Sequence, residues 1–206
     1  GVEEILGDDK VTGVKLNNGE TIDADAVILS LGYAPNTRLG KEIGLDMNDF
    51  GFIKTDRYKR TSMKDVFAVG DCSEKRDFST GKLSKIMLAS TACAEARVAG
   101  LNLNSLSTVS TFRGTIGIYS TAIGDDCYGV AGLTETSAKN EGFNVVSGMF
   151  TGVDAHPGCL THTKPQAVKL VVSKDNGVIL GGEAMGGKSV GVLINVIGIA
   201  IQNSMT

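Results

Sequence analysis

The sequence has no tryptophan, three prolines and two histidines, and aromatic residues make up 5% of it. So little proline argues against an extended linker or a disordered segment. The two histidines, His156 and His162, flank Cys159, but a stable metal site wants four well-spaced ligands, and no metal is expected. The four cysteines, Cys72, Cys93, Cys127 and Cys159, are widely spaced and form no Cys-x-x-Cys pair. Neither zinc nor a local redox pair is signalled, and Cys159 reads as a small buried residue. With an even cysteine count and no signal peptide, reduced thiols and a cytoplasmic location are expected. Neither sign of charge prevails: 20 basic and 23 acidic residues are mixed along the chain, for a net charge of −3. A nucleic-acid footprint would need clustered Lys and Arg, so no nucleic-acid partner is expected. No long apolar run exists either. The longest, over 190–201, is interrupted by Gly191, Asn195 and Gly198, and it is too short to cross a bilayer, so no membrane partner is expected.

Glycine, by contrast, is abundant at 27 of 206 residues, which suits a sheet-rich enzyme domain with tight turns. The length admits one domain or two and is enough to bury a core. Residues 11–16 and 20–23 alternate around Asn17-Asn18-Gly19, which predicts a β-hairpin. The continuous apolar run over 24–32 predicts a buried strand, broken at Gly32-Tyr33-Ala34-Pro35-Asn36. A short helix is predicted over 37–43, closed by Gly44. A polar loop over 73–85 leads to an Ala-rich, proline-free stretch that predicts a helix over 86–102. Residues 102–110, rich in Ser, Asn and Thr, read as a linker.

Beyond the linker the pattern changes. Strands are predicted over 115–123 and 126–133, then a helix capped by Thr134, favoured by Glu135 at its positive end and stopped by Gly142. Strands over 143–151, 168–172 and 178–186 follow, the last two joined by a hairpin turn at Lys174-Asp175-Asn176-Gly177. The final helix spans 189–203. It is apolar around most of its circumference, which predicts burial on more than one side, with Gly191 and Gly198 on nearly one face to permit close approach. Antiparallel strands with helices to one side predict an α+β fold.

The most informative stretch is Thr61-Ser62-Met63-Lys64-Asp65-Val66-Phe67-Ala68-Val69-Gly70-Asp71-Cys72. It reads as a turn, a short apolar strand over 66–69, and Gly-Asp where the strand ends. Gly70 lets backbone approach a ligand closely, and Asp71 offers an acceptor for a sugar or ribityl hydroxyl. The run resembles the second flavin-binding signature of the pyridine nucleotide-disulfide oxidoreductases, whose aspartate hydrogen-bonds the ribityl chain of FAD. That resemblance implies Gly70 and Asp71 as FAD contacts. The segment from Asp25 to Asn36 resembles the point where the family's chain leaves its NAD domain, and Gly51-Phe52-Ile53-Lys54-Thr55-Asp56 resembles the following link. The helix from Ile86 is similar to the family helix whose N-terminus faces the pyrimidine end of the flavin ring, where its partial positive charge stabilises the reduced form. This implies Leu88 and Ala89 near the flavin, although Met87 and Ala89 stand where relatives often carry Pro and Gly.

Residues 130–135, 168–172 and 179–186 resemble the family's C-terminal dimerisation domain. The resemblance implies an end of an NAD(P)-binding domain over 1–36, a returning segment of an FAD-binding domain over 37–109, and a dimerisation domain over 110–206. Neither Gly-x-Gly-x-x-Gly nor an initiator Met is present, so a C-terminal fragment is expected. The segment His156-Pro157-Gly158-Cys159-Leu160-Thr161 is similar to the NADH oxidase and coenzyme A-disulfide reductase branch. Cys159 and Leu160 occupy the place where a partner tyrosine often reaches the active site in that branch, so the alternative to a buried Cys159 is an accessible thiol near the partner's flavin. The implied parent is an FAD-dependent NAD(P)H oxidoreductase that passes hydride from nicotinamide to flavin and on to oxygen or a disulfide, working as a homodimer. Two alternatives are a non-catalytic dimerisation module and a dihydrolipoamide dehydrogenase or glutathione reductase-type enzyme. No catalytic residue is assigned within the chain.

Overall fold

The structure, a computed structural model, describes residues 1–105 and 110–206. They form two compact units, Gly1–Ala34 and Pro35–Thr206. The domain boundary expected at 109 and part of the expected linker fall on residues 106–109, outside the described residues.

In the first unit, β1 (Val2–Leu6), β2 (Gly13–Leu16) and β3 (Thr21–Asp23) make an antiparallel sheet in the order β1-β2-β3. The Asn-Gly hairpin joins β2 to β3, with the Gly19 amide donating to the Leu16 carbonyl at 2.9 Å. β1, which the sequence reading passed over, pairs with the other edge of β2. The buried strand expected over 24–32 does not form. Ile28 and Leu31 are 92% and 90% exposed, and residues 26–34 carry no regular structure. A strand apolar on both faces needs neighbours and cover on both faces, and the three strands of this unit pair only with one another.

The second unit opens with α1 (Arg38–Glu42), as the sequence predicts. Leu45, Ile53 and Ala68 then gather a small core with Met47, Val66 and Cys72. The strand expected over 66–69 shrinks to a single bridge between Arg60 and Phe67. Past that bridge Val69 is extended, and the chain then turns at once into a 3-10 turn, Gly70–Cys72. The small strands β4 (Lys75–Arg76) and β5 (Leu83–Ser84) pair across the polar loop. α2 runs over Ala89–Asn102, starting later than the predicted Ile86. The Ser84 hydroxyl accepts the Ile86 amide at 3.2 Å, and Leu88 stays extended ahead of the helix.

The rest is a five-stranded antiparallel sheet of β6 (Ile118–Ile123), β7 (Asp126–Gly132), β8 (Val145–Val153), β9 (Pro165–Ser173) and β10 (Ile179–Gly186). Its order is β6-β7-β10-β9-β8. α3 (Glu135–Asn140) sits beside β8, and α4 (Val190–Gln202) packs across β10, β7 and β6. Val190, Ile194, Ile197 and Ile201 bury one face of α4 on Ala131 and Ala184. Val192, Val196 and Ile199 leave the opposite face 70%, 54% and 57% exposed, so within this chain the helix is buried on one side rather than more than one. Gly191 and Gly198 do not share an open face: a side-chain carbon on Gly198 would collide with Ile118, whereas Gly191 faces open space. The α+β fold class matches the observed architecture.

Candidate functional site

Thr61 starts the construction. Its hydroxyl donates to the Val66 carbonyl at 2.9 Å and accepts the Met63 amide at 3.2 Å, closing the turn that launches residues 66–69. Ala68, buried in the small core, bonds back to the Lys59 carbonyl at 3.1 Å. The chain thus arrives at Gly70 on a defined line. Gly70 has φ +78°, a left-handed conformation that glycine adopts without steric cost. A side-chain carbon there would meet the Ala92 methyl at 3.5 Å, an ordinary contact. The backbone twist, more than shortage of space, requires glycine. Asp71 follows, exposed, its carboxylate free of protein partners among the described residues.

The turn is seated on α2 by a buried polar network that the sequence reading missed. Glu95, fully buried, accepts from the Gly70 amide at 2.7 Å and from the Ser73 hydroxyl at 2.9 Å through Oε2. Its Oε1 accepts from Lys59 Nζ at 3.1 Å, and Lys59 is itself 1% exposed. Lys59 Nζ also donates to the Glu74 carbonyl at 2.8 Å. Lys75, likewise buried, donates to the carbonyls of Gly70 and Ser73, both at 3.0 Å. Burial pulls the Lys59 ammonium below the usual lysine pKa, although the Glu95 carboxylate opposes this. Asp56 shapes the turn that carries Lys59, accepting the Tyr58 and Arg60 amides at 2.9 and 3.0 Å. Partial burial raises the Asp56 pKa, but the Arg60 side chain and these two amides more than offset it and leave the pKa lowered. One signal was available: Thr91, Glu95, Val98, Ala99 and Asn102 share the buried face of α2, so a carboxylate stood on a stripe that spacing marks as interior.

Of the expected site residues, Gly70 and Asp71 sit on the turn, while half-buried Leu88 and exposed Ala89 form the start of α2. Ala92, which a side-chain carbon on Gly70 would meet, lies one helical turn beyond Ala89, and its amide bonds to the Leu88 carbonyl at 3.0 Å. Leu88 and Ala89 thus mark the start of α2, and the Gly70 turn is bonded to the same helix further along, at Glu95. Leu88 makes no side-chain cap, so the first amides of the helix keep their hydrogen-bonding capacity. A separate cleft of about 880 Å³ has Lys59, Lys75, Phe112 and Arg113 in its walls, but not Asp71, Leu88 or Ala89. Elsewhere, Cys159 is exposed rather than buried, because its loop over 154–164 packs into no core cluster. Among the described residues no group of three His, Cys, Asp or Glu side chains is placed to hold a metal ion. No described helix is long and apolar enough to cross a membrane.

The family model for pyridine nucleotide-disulphide oxidoreductase matches residues 1–96, and the model for the same family's dimerisation domain matches residues 118–206. The chain belongs to the pyridine nucleotide-disulphide oxidoreductases. The chain is 31% identical over 203 residues to an NADH oxidase of Methanocaldococcus jannaschii, covering 97% of the chain and 43% of that protein. Among solved structures it is similar to an NAD-dependent persulfide reductase from A. fulgidus, with a TM-score of 0.86 and 31% identity, covering 100% of the chain and 37% of that structure. A water-forming NADH oxidase from Lactobacillus brevis gives a TM-score of 0.86 and 30% identity, covering 100% and 45%. The chain spans less than half the length of the relatives it matches. The dimerisation-domain match falls in the C-terminal half of the chain.

Proposed function

We propose that this chain is the C-terminal part of an FAD-dependent NAD(P)H oxidoreductase, and that Gly70, Asp71, Leu88 and Ala89 form its flavin contact surface. One observation carries the reading. A left-handed glycine, its amide held by the buried Glu95 of α2, is followed by an exposed carboxylate with no partner among the described residues, and α2 itself starts without a side-chain cap. The residues present fit FAD. Asp71 would accept hydrogen bonds from ribityl hydroxyls, and the amide end of α2 would favour the negative charge that a reduced ring carries. When bound, FAD supplies hydride transfer between NAD(P)H and an acceptor. The protein's share is to hold the cofactor and set the field around it. Relatives named as an NADH oxidase and a persulfide reductase support oxygen or a sulfur species as the acceptor.

The division into an NAD(P)-domain end over 1–36, a returning FAD-domain segment over 37–109 and a dimerisation domain over 110–206 belongs to the same proposal. So does a homodimer working in the cytoplasm, where four free cysteines would remain thiols. The test is direct. A full-length enzyme carrying this sequence should purify yellow, release FAD on denaturation and oxidise NADH or NADPH. The 206-residue chain alone, without a Gly-x-Gly-x-x-Gly turn to receive the pyrophosphate, should bind FAD weakly or not at all. A colourless full-length protein that leaves nicotinamide untouched would leave only the dimerisation-module reading. Oxidation under nitrogen, with and without an added disulfide or persulfide, separates the acceptors.

A further inference from the structure

We propose that Glu95 and Lys59 are positioning residues for the flavin: the Glu95 carboxylate, held by Lys59, fixes the Gly70 amide onto α2 so that Asp71 and the helix start address one ligand. This rests on the flavin reading of Asp71. Both members of the pair are buried, at 0% and 1% exposure. A buried ion pair is a poor source of stability, because desolvating two charges offsets most of their attraction, and apolar side chains of similar volume usually serve as well or better. Lys59 is moreover held in a left-handed conformation with φ +68°, which is strained for a residue with a Cβ. Two unfavourable terms are therefore accepted at one place.

What an apolar pair could not supply is a fixed acceptor for the Gly70 amide. That amide donates to Glu95 at 2.7 Å, the shortest bond in the network, while Lys75 holds the carbonyl of the same residue at 3.0 Å. The N–H and the C=O of Gly70 are thus each gripped by a charged side chain. The Asp71 carboxylate has no partner among the described residues. Lys59 Nζ holds the Glu95 carboxylate in place at 3.1 Å, and its second bond, to the Glu74 carbonyl at 2.8 Å, ties the arrangement to the residue just ahead of β4.

The experiment uses the full-length flavoenzyme. FAD dissociation constants are measured by titrating the apoprotein, alongside the thermal midpoint of that apoprotein. Glu95→Gln replaces two acceptor oxygens with one oxygen and one NH₂ group, which then faces either the Gly70 amide or the Lys59 ammonium, donor against donor. Its FAD affinity should fall tenfold or more. The double variant Glu95→Gln/Lys59→Met removes the competing ammonium and lets the amide oxygen take the Gly70 N–H. It should recover most of the affinity, whatever happens to the apoprotein midpoint. If Glu95→Gln does not fold, Lys59→Met and the double variant carry the test, the first binding FAD more weakly than the second. An unchanged dissociation constant in folded Glu95→Gln, or a double variant as weak as the single, overturns the inference. Asp71→Ala is the control. If it loosens FAD while the Glu95 and Lys59 variants do not, only this inference fails. If the wild-type enzyme holds no FAD, the functional reading fails with it.

Discussion

The turn at Gly70 and Asp71, after a short apolar run, was legible in the sequence, while their link to a flavin came only from the resemblance of residues 61–72 to a family signature. The partners that seat them were not legible. Glu95 lies 25 residues away from Gly70 in the chain, and Lys59 precedes the turn, so nothing local announces that the three meet. A buried charge is visible only once the surroundings are known, since the same Glu on the outer face of an Ala-rich helix would be unremarkable. The free carboxylate of Asp71 leads to a prediction at this scale. In the full-length enzyme, Asp71→Ala should weaken FAD binding by about 1.5–3 kcal/mol, the scale of a hydrogen bond to a charged group, which is a loss of roughly tenfold to 150-fold in affinity. Full flavin occupancy through prolonged dialysis of the variant would reduce Asp71 to a turn residue.

At the scale of elements, the segments that declared themselves carry their own start and stop signals. α3 begins as read: Thr134 accepts the Ser137 amide at 3.2 Å, and Glu135 occupies the first turn. The antiparallel hairpins follow their Asn-Gly turns. Residues 24–32 and 66–69 failed as strands because strand formation depends on a neighbour that local sequence does not reveal. Glu135 gains a second role that spacing did not show. Its carboxylate meets Lys139 at 2.6 Å, the Ser147 hydroxyl at 2.6 Å and Lys169 at 2.9 Å, linking α3 to β8 and β9. The hydrogen bond from Lys139, then those from Ser147 and Lys169, lower its pKa from 4.5 to about 2. A carboxylate with a depressed folded pKa binds fewer protons than its unfolded form, so its stabilising contribution is complete above the unfolded value. That contribution should fade as pH falls from 4.5 towards 2. Denaturation midpoints of the wild type and Glu135→Gln should therefore differ at pH 7 and converge near pH 2. A gap that stays constant across that range would contradict the assignment.

The whole molecule leaves an apolar surface that its own sheet does not cover. Val192 and Val196 on α4 stand exposed beside Phe150 and Val153 of β8, and these four line one shallow groove with Leu193 and Val168. Contiguous apolar surface of this kind marks association, and the homodimer proposed above would cover it with the same surface of a second copy. Val196→Lys should shift a dimer towards monomer with little loss of fold, whereas Ile197→Lys, at a site 5% exposed within the core, should unfold the domain. Light scattering across protein concentrations, paired with circular dichroism, separates the two outcomes. A wild-type chain that stays monomeric at micromolar concentration would remove the homodimer. The sequence showed how apolar the last helix is, but not which of its residues the chain keeps for itself, because that division is made by Ile118 and the sheet.

The pair of buried hydroxyls on Thr91 and Thr115, 2.7 Å apart, has a consequence for how this protein can change over evolutionary time. Thr91 and Glu95 are successive positions on the same face of α2. The first ties the helix to the residues entering β6, and the second ties it to the Gly70 turn. Adding or removing one residue between them would rotate one attachment by about 100° relative to the other. Loops can absorb such insertions, but this four-residue step cannot. The interval from Thr91 to Glu95 should therefore stay fixed in length wherever this arrangement is kept, even as the residues outside it drift.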